Sequence, residues 1–340
     1  MQWNRKYYEP GSFSIEIPLE QYSSQYKYIY TKDRPEMGII EQVNYIDQRG
    51  FRAVYLSGYF LEQELNNHVV HRKGISNIIN GPEWTSFKGN AENVAHELFR
   101  SFKQITVRDG NVNYTADLGI EAGSNLSRGK VSEQWRCGEY LGNKIYSTLK
   151  PSEMSFRINY DFENSKKVFN VWSGFDRTQD QSINNPITFS TRYGNIKNPN
   201  ILIDKVNYKN ACIVDNENEE MIYSQAILEE KEEKDSVKFY YLQSTILRTD
   251  YSTDSAFISA LLSEGKTELN EWIKTVNVEF DAMEGSYEYM EDFDIGDKCN
   301  IEIPEMDISA NAILIGCYEV IKKGIWSLTL EFGTPVMKRR

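Results

Sequence analysis

Apolar and polar residues alternate along Lys298–Ile303 and stop at Pro304. Residues 312–321 form a mostly apolar run rich in isoleucine. Ile325–Phe332 alternates again, with Trp326, Leu328, Leu330 and Phe332 on one side and Ile325, Ser327, Thr329 and Glu331 on the other. A period of two predicts strands that lay one face on a core. Lys322-Lys323-Gly324 predicts a tight hairpin, because glycine takes positive φ at little cost. Asp292-Phe293-Asp294-Ile295-Gly296-Asp297 mixes short acidic turn formers with glycine and predicts a turn into the first of these strands. The other end of the chain reads the same way. Phe13, Ile15 and Ile17 alternate with Ser12, Ser14 and Glu16 after a Pro10-Gly11 turn, and Pro18 ends the run. Further strands at 26–31, 37–45 and 51–58 make an antiparallel meander, whose edges a small closed or nearly closed β-barrel would hide.

Helical spacing interrupts this pattern. Residues 59–70 predict a short helix. Residues 91–101 predict a stronger one, with Ala91, Val94, Ala95, Leu98 and Phe99 on one face and Asn90 placed to cap it. Residues 106–131, dense in Gly, Asn, Asp and Ser, predict weak strands or a long loop. Residues 133–149 predict a helix striped by Trp135, Tyr140, Leu141, Ile145 and Leu149, followed by strands at 155–162 and 167–173. After a polar linker at 179–185 come strands at 187–190, within 201–214, at 239–247 and at 275–280. The charge run at 229–235 predicts a solvated hairpin tip or loop, and 254–274 predicts a helix capped by Asp254. The reading is α+β, mostly β. A first β-rich domain spans 1–106, an inserted α+β domain 107–178 and a second β-rich domain 187–340.

Forty per cent hydrophobic residues in 340 can fill the cores of two or three domains. The net charge of −12 argues against a nucleic-acid-binding protein, which needs clustered Lys and Arg. Cys137, Cys212, Cys299 and Cys317 are dispersed and read as buried thiols, although Cys299 and Cys317 fall in adjacent predicted strands. The start MQWNRKYY lacks the apolar core of a signal peptide, and no run is long enough to cross a membrane, so no membrane insertion is expected. His68 and His71 are three apart and His96 lies on the next predicted helix, but a zinc site wants more ligands at fixed spacing. Asp292, Asp294 and Asp297 superficially suggest calcium, yet their flanks are β and the spacing is not that of an EF-hand. Carboxylate pairs such as Glu16 with Glu20 are too common here to nominate a glycosidase, and no Gly-x-Ser-x-Gly, HExxH or Cys/His cluster occurs. No catalytic, cofactor or metal site is expected.

Three stretches carry a resemblance. They are Tyr7-Tyr8-x-Pro10-Gly11-x-Phe13 with its alternating strand, a helix-then-hairpin unit closing on Gly174-x-Asp176-Arg177-Thr178, and Asp-Phe-Asp-Ile-Gly-Asp at 292–297 with the strands after it. In this order they resemble the tail-hub family of long-tailed phages, which includes baseplate hubs of contractile, phage-tail-like bacteriocins. Arg72 stands where that family ends its leucine-rich segment. The resemblance implies two tube-type β-barrels per chain and a homotrimer whose six barrels meet a six-fold tube. It also implies no enzymatic activity. The implied partners are the tail tube protein, a spike or tail-tip protein, the tape-measure protein and other baseplate proteins, in a virion or phage-tail-like particle assembled in the bacterial cytoplasm. The alternatives are a glycan-binding module at the tail tip and a cell-wall hydrolase. Interface candidates are Trp3, Tyr7, Tyr8, Phe13, Asp176 and Arg177. The aromatics either anchor a neighbour or cap their own barrel, and Asp176-Arg177 supplies an ion pair between subunits or within the hairpin.

Overall fold

The computed structural model describes residues 1–48, 51–71, 77–80, 87–134, 138–217, 222–228, 237–269, 272, 275–283, 285–333 and 336–337. It is mostly β with three α-helices among the described residues, the α+β class expected. The chain forms two compact units, Met1–Pro199 with Glu279–Arg340, and Asn200–Val278. No helix among the described residues is long and apolar enough to cross a membrane.

The larger unit is built on a sheet that joins the two ends of the chain. Gln2–Lys6 lies between Ser12–Pro18 and Ile308–Lys322, antiparallel to both, with Trp3 opposite Phe13 and Glu319. From there the sheet continues through Phe51–Phe60 and Met37–Gln48 to Tyr28–Tyr30 on one side, and through Ile325–Phe332 on the other. The predicted hairpin is present: Lys323 and Gly324 both take positive φ, 52° and 77°, as a two-residue loop with the twist of its strands requires. Its alternation holds as well. Leu328, Leu330 and Phe332 are buried, whereas Ile325 is 73% exposed. Lys298–Ile303 pairs with the first half of Ile308–Lys322 and runs parallel to Asp176–Arg177 and Thr188–Ser190 on its other side.

A second core in this unit packs two helices against a hairpin. Helix α1 (Ala91–Phe102) buries Ala91, Val94, Ala95, Leu98, Phe99 and Phe102, the spacing read from the sequence. Helix α2 (Leu141–Leu149) buries Leu141, Ile145 and Leu149 beside it. Phe99 stacks on Phe169 of the hairpin Ser155–Asp161/Lys166–Trp172, with centroids 4.5 Å apart and planes 5° off parallel. Asn90 stands at the start of α1, but its Nδ2 donates to the Ser127 carbonyl at 2.6 Å instead of capping the helix.

Two local expectations change. Residues 59–70 are not an α-helix: the strand runs through Phe60 and a 3-10 turn, Leu61–Asn67, follows with Leu61, Glu62 and Leu65 buried. The helix predicted from 133 begins only at Leu141. Val131–Gln134 instead pairs with Phe87–Asn90, and Gly138 at φ 89° breaks any continuation. Of the alternatives for 106–131, strands are present: an antiparallel hairpin, Gln104–Asp109/Val112–Asp117, turns through Gly110 at φ 58°. Arg72, Trp135, Cys137 and the charge run at 229–235 lie outside the described residues.

The smaller unit lays helix α3 (Asp254–Leu269) on a three-stranded sheet with Ala211–Glu217 central between Ile222–Leu228 and Phe239–Gln243. Cys212 and Val214 meet Phe257, Leu261 and Leu269 in its core. Asp254 is the first helical residue, and its carboxylate accepts from Arg248 Nε at 2.7 Å.

Candidate assembly site, a buried ionic knot beside a groove

The N-terminal strand turns Trp3, Arg5 and Tyr7 to one face by simple alternation, and all three are buried. Trp3 packs on Phe60 at 4.7 Å and near Phe13 at 6.0 Å. A guanidinium in that apolar row must be fully paired. Arg5 Nε donates to Glu36 Oε1 at 2.9 Å, and Nη1 donates to Tyr289 Oη at 2.7 Å and to Asp294 Oδ1 at 2.5 Å. Burial by itself would lower the Arg5 pKa, but Glu36, Tyr289 and Asp294 hold it well above its ordinary value. Around this centre Arg157 Nη2 approaches Glu36 at 3.6 Å and stacks over the Trp172 ring at 4.2 Å. Arg34, over the Tyr289 ring, forks the carboxylate of Glu319, which also accepts from Trp326 Nε1 at 3.2 Å.

The three stretches that carried the sequence resemblance converge here. Asp294 binds Arg5, while Asp297 Oδ2 accepts from Arg177 Nε at 2.6 Å and its Oδ1 accepts from Phe175 N at 2.7 Å. Gly174 and Gly296 touch backbone to backbone: a Cβ on Gly174 would lie 2.1 Å from the Gly296 carbonyl carbon. The Tyr7 ring meets Trp172 edge-on at 5.0 Å, and its hydroxyl donates to the Glu153 carbonyl at 2.9 Å.

The six interface candidates are therefore placed as follows. Trp3, Tyr7 and Phe13 are buried inside the chain, so their apolar area is already used there. Tyr8 is half-buried against Tyr7 at 4.6 Å, with the Lys150 ammonium over its ring. Arg177 pairs with Asp297, and the exposed Asp176 accepts from the Thr178 backbone N–H at 2.9 Å. Asp176 also lines an open groove of about 270 Å³ beside the knot, with Arg128, Ser152, Glu153, Phe175 and Lys298. Lys298 closes on Glu153 at 2.9 Å across its rim. Such a groove offers paired charges and backbone, with nothing aligned as a nucleophile and its base.

The titratable residues weighed for metals are spent elsewhere. His68 Nδ1 donates to the Phe102 carbonyl at 2.6 Å, and His71 and His96 are buried edge-on to Phe102 and Phe169. Burial, with Arg100, lowers the His96 pKa. Among the described residues no three His, Cys, Asp or Glu side chains gather as metal ligands. Cys212, Cys299 and Cys317 are free and buried, and burial pushes all three thiols up. Sequence reasoning missed Arg5, Glu36, Glu62 and Tyr289; the available signal was a charge, Arg5, on the inward register between Trp3 and Tyr7.

The fold is that of solved tail proteins. A tail protein from Neisseria meningitidis MC58 superimposes over 98% of this chain and 90% of its own, with a TM-score of 0.55 at 13% identity. The 43 kDa tail protein of prophage MuSo2 from Shewanella oneidensis does so over 97% and 92%, with a TM-score of 0.55 at 9% identity. No curated protein matches the chain. The phage-tail resemblance read from three converging stretches thus holds, and with the Siphovirus ReqiPepy6 Gp37-like protein model matching residues 1–334, the chain belongs to that family.

Proposed function

We propose that the chain is a structural hub at the tip of a phage tail or phage-like contractile particle. In this reading it forms a trimeric ring with pseudo-six-fold symmetry, joins the hexameric tail tube to the spike or tip, and nucleates tube assembly. The observation that carries the reading is a fold shared along nearly the whole chain with two tail proteins, in a member of a siphovirus family. Residues 1–106 and 187–340 are the proposed tube-type barrels and 107–178 the insertion between them. The homotrimer contacts itself, the tube protein, the tape-measure protein, the spike and other baseplate proteins, without sequence-specific nucleic acid. The net charge of −12 suits a passage through which DNA must slide without sticking. No catalytic role is proposed. Light scattering on the purified chain, alone and mixed with tube protein, tests this: a trimer that seeds tubes is expected. A strict monomer that leaves tube protein unpolymerised refutes it.

A glycan-binding reading has one observation in its favour. The Tyr30 and Phe162 rings meet at a 52° tilt with centroids 4.9 Å apart, and both are more than half exposed, with Tyr28 nearby in the same strand. Binding on a glycan array that Phe162→Ala abolishes would shift the assignment.

A further inference from the structure

Among the described residues, the large sheet ends in an edge that is unpaired past a bulge. Tyr28–Tyr30 pairs with Met37–Gln48 only at Met37, Gly38 and Ile39. Beyond a bulge between Ile40 and Gln42, no strand among the described residues pairs with the outer side of 41–48. Every residue there is exposed except the half-buried Ile46. The inner side is firmly held, since Phe51–Phe60 pairs with it as far as Gln48 and with Ser12–Pro18 beyond.

The register shows what this edge offers. Ile15, Leu56 and Val43 lie in one row across the three strands, and Ile17, Val54 and Tyr45 in the next. These rows continue the face on which Trp3, Phe13, Phe60, Ile29 and Ile40 form a core. Leu56 and Val54 are buried, but at the edge Val43 is 49% and Tyr45 50% exposed. The opposite face is polar in two rows, Glu16, Tyr55 and Asn44 and then Ser14, Ser57 and Gln42, and apolar in the row of Pro18, Ala53 and Ile46. Exposed edges are ordinarily protected by proline, lysine or a kink. Ile196–Asp204, at the other end of the same strand order, has Lys197, Pro199 and a positive φ of 50° at Asn198. Residues 41–48 contain no proline, lysine or arginine past the bulge, and their only charges are Glu41 and Asp47.

We propose that 41–48 accepts an extended strand from another protein by β-strand addition, over roughly 26 Å at the usual rise per residue. The free edge supplies main-chain hydrogen bonds, so the occupant is polypeptide in extended form. It is apolar at alternate positions, to cover Val43 and Tyr45, and basic where it passes Glu41. Asp47 is already held by Arg52 at 3.1 Å and by the Tyr45 hydroxyl at 3.1 Å. Two central registers with the same edge of a second copy are disfavoured. Antiparallel pairing about Asn44 sets Glu41 opposite Asp47, and pairing about Tyr45 sets Asp47 opposite Val43, a like-charge clash or a charge in the apolar row. The proposal does not depend on the hub reading, because any polypeptide of this pattern tests it.

The probe is a blocked synthetic peptide, Thr-Lys-Val-Thr-Val-Thr-Val-Thr-Lys, added to the full chain. Hydrogen exchange resolved by residue is expected to show new protection within 41–48. Tyr45→Lys is expected to weaken binding about tenfold or more by removing one apolar anchor and adding a charge the peptide repels. Glu41→Lys is expected to transfer the preference to the peptide with Glu in place of Lys. Absence of protection at millimolar peptide, binding unaltered by Tyr45→Lys, or protection that arises without peptide as the chain dimerises would each overturn the proposal. Circular dichroism of each variant separates loss of binding from loss of fold.

Discussion

Glu62 sits at 6% exposure in the 3-10 turn Leu61–Asn67, where its Oε1 accepts from the Ile158 backbone N–H at 3.0 Å. Burial drives its pKa from 4.5 up to about 7; the Ile158 hydrogen bond and Arg157 oppose the rise and Glu36 adds to it. The folded chain thus keeps a proton that the unfolded chain releases near pH 4.5. The resulting stabilisation is complete below that value and is lost as pH rises through about 7. At 1.36 kcal/mol per pKa unit, this one carboxyl removes about 2 to 3 kcal/mol between pH 5 and pH 8. Glu62→Gln keeps the carbonyl oxygen that accepts from Ile158 and removes the titration. Its stability is expected to equal or trail the parent at pH 5 and to exceed it by about 2 kcal/mol at pH 8.

Urea unfolding read by pulsed hydrogen exchange within Ser155–Asp161 follows the unit that holds Glu62, separately from Asn200–Val278. Parallel stability curves for parent and Glu62→Gln from pH 5 to pH 8 would refute the assignment of a buried, proton-bearing carboxyl. So would a parent that gains stability relative to the variant as pH rises.

Removing the centre of the knot leaves its acids stranded. Arg5→Met is expected to destabilise by about 3 to 5 kcal/mol, because Glu36 and Asp294 lose their shared partner; urea midpoints at pH 7 measure this, and a loss below 1 kcal/mol contradicts the pairing. Gly174→Ala drives a methyl into the Gly296 backbone and is expected to lower the melting temperature more than Gly89→Ala, where the nearest atom to the new methyl lies 3.6 Å away. Equal shifts in differential scanning fluorimetry would deny the close approach. Phe169→Ala is expected to lose about 3 to 5 kcal/mol by emptying a fully buried site stacked on Phe99, read as faster amide exchange in α1.

How much was legible depended on whether a pattern was local. Lys298–Ile303 and Ile325–Phe332 read correctly to the residue, because apolar side chains return to the core at every second position, although Asn300 on the other face of the first strand is buried as well. The helix predicted over 133–149 began too early, since Glu133 and Gln134 belong to a strand and Gly138 takes φ 89°, and stripe spacing alone does not mark where a helix starts. The hairpin at 104–117 was blurred by its exposed residues, which alternate without a core face to mark them. At the site, Trp3, Tyr7 and Phe13 stood out as aromatic, but whether such rings cover their own core or a neighbour depends on what packs over them. Arg5, Glu36 and Glu62 looked like ordinary solvated charges, and only the fold brings the carboxylates to the guanidinium.

The three stretches that made the family recognisable meet at one buried point. Arg5, Gly174, Arg177, Asp294, Gly296 and Asp297 tie the start of the chain, the end of its inserted hairpin and the turn into its last strands together. Residues of this kind are constrained by pairing and close approach, so the signature they write into the sequence is one of fold. Surfaces that mate with other proteins obey a weaker rule: they need a free edge and an apolar row, both of which tolerate many sequences. The edge at 41–48 satisfies that rule without any motif, with Val43 and Tyr45 extending a core face into solvent. In this chain, partner-binding residues are therefore to be sought where the sequence pattern is plainest; the knot reaches that strand only through Glu36, which precedes its first residue, Met37.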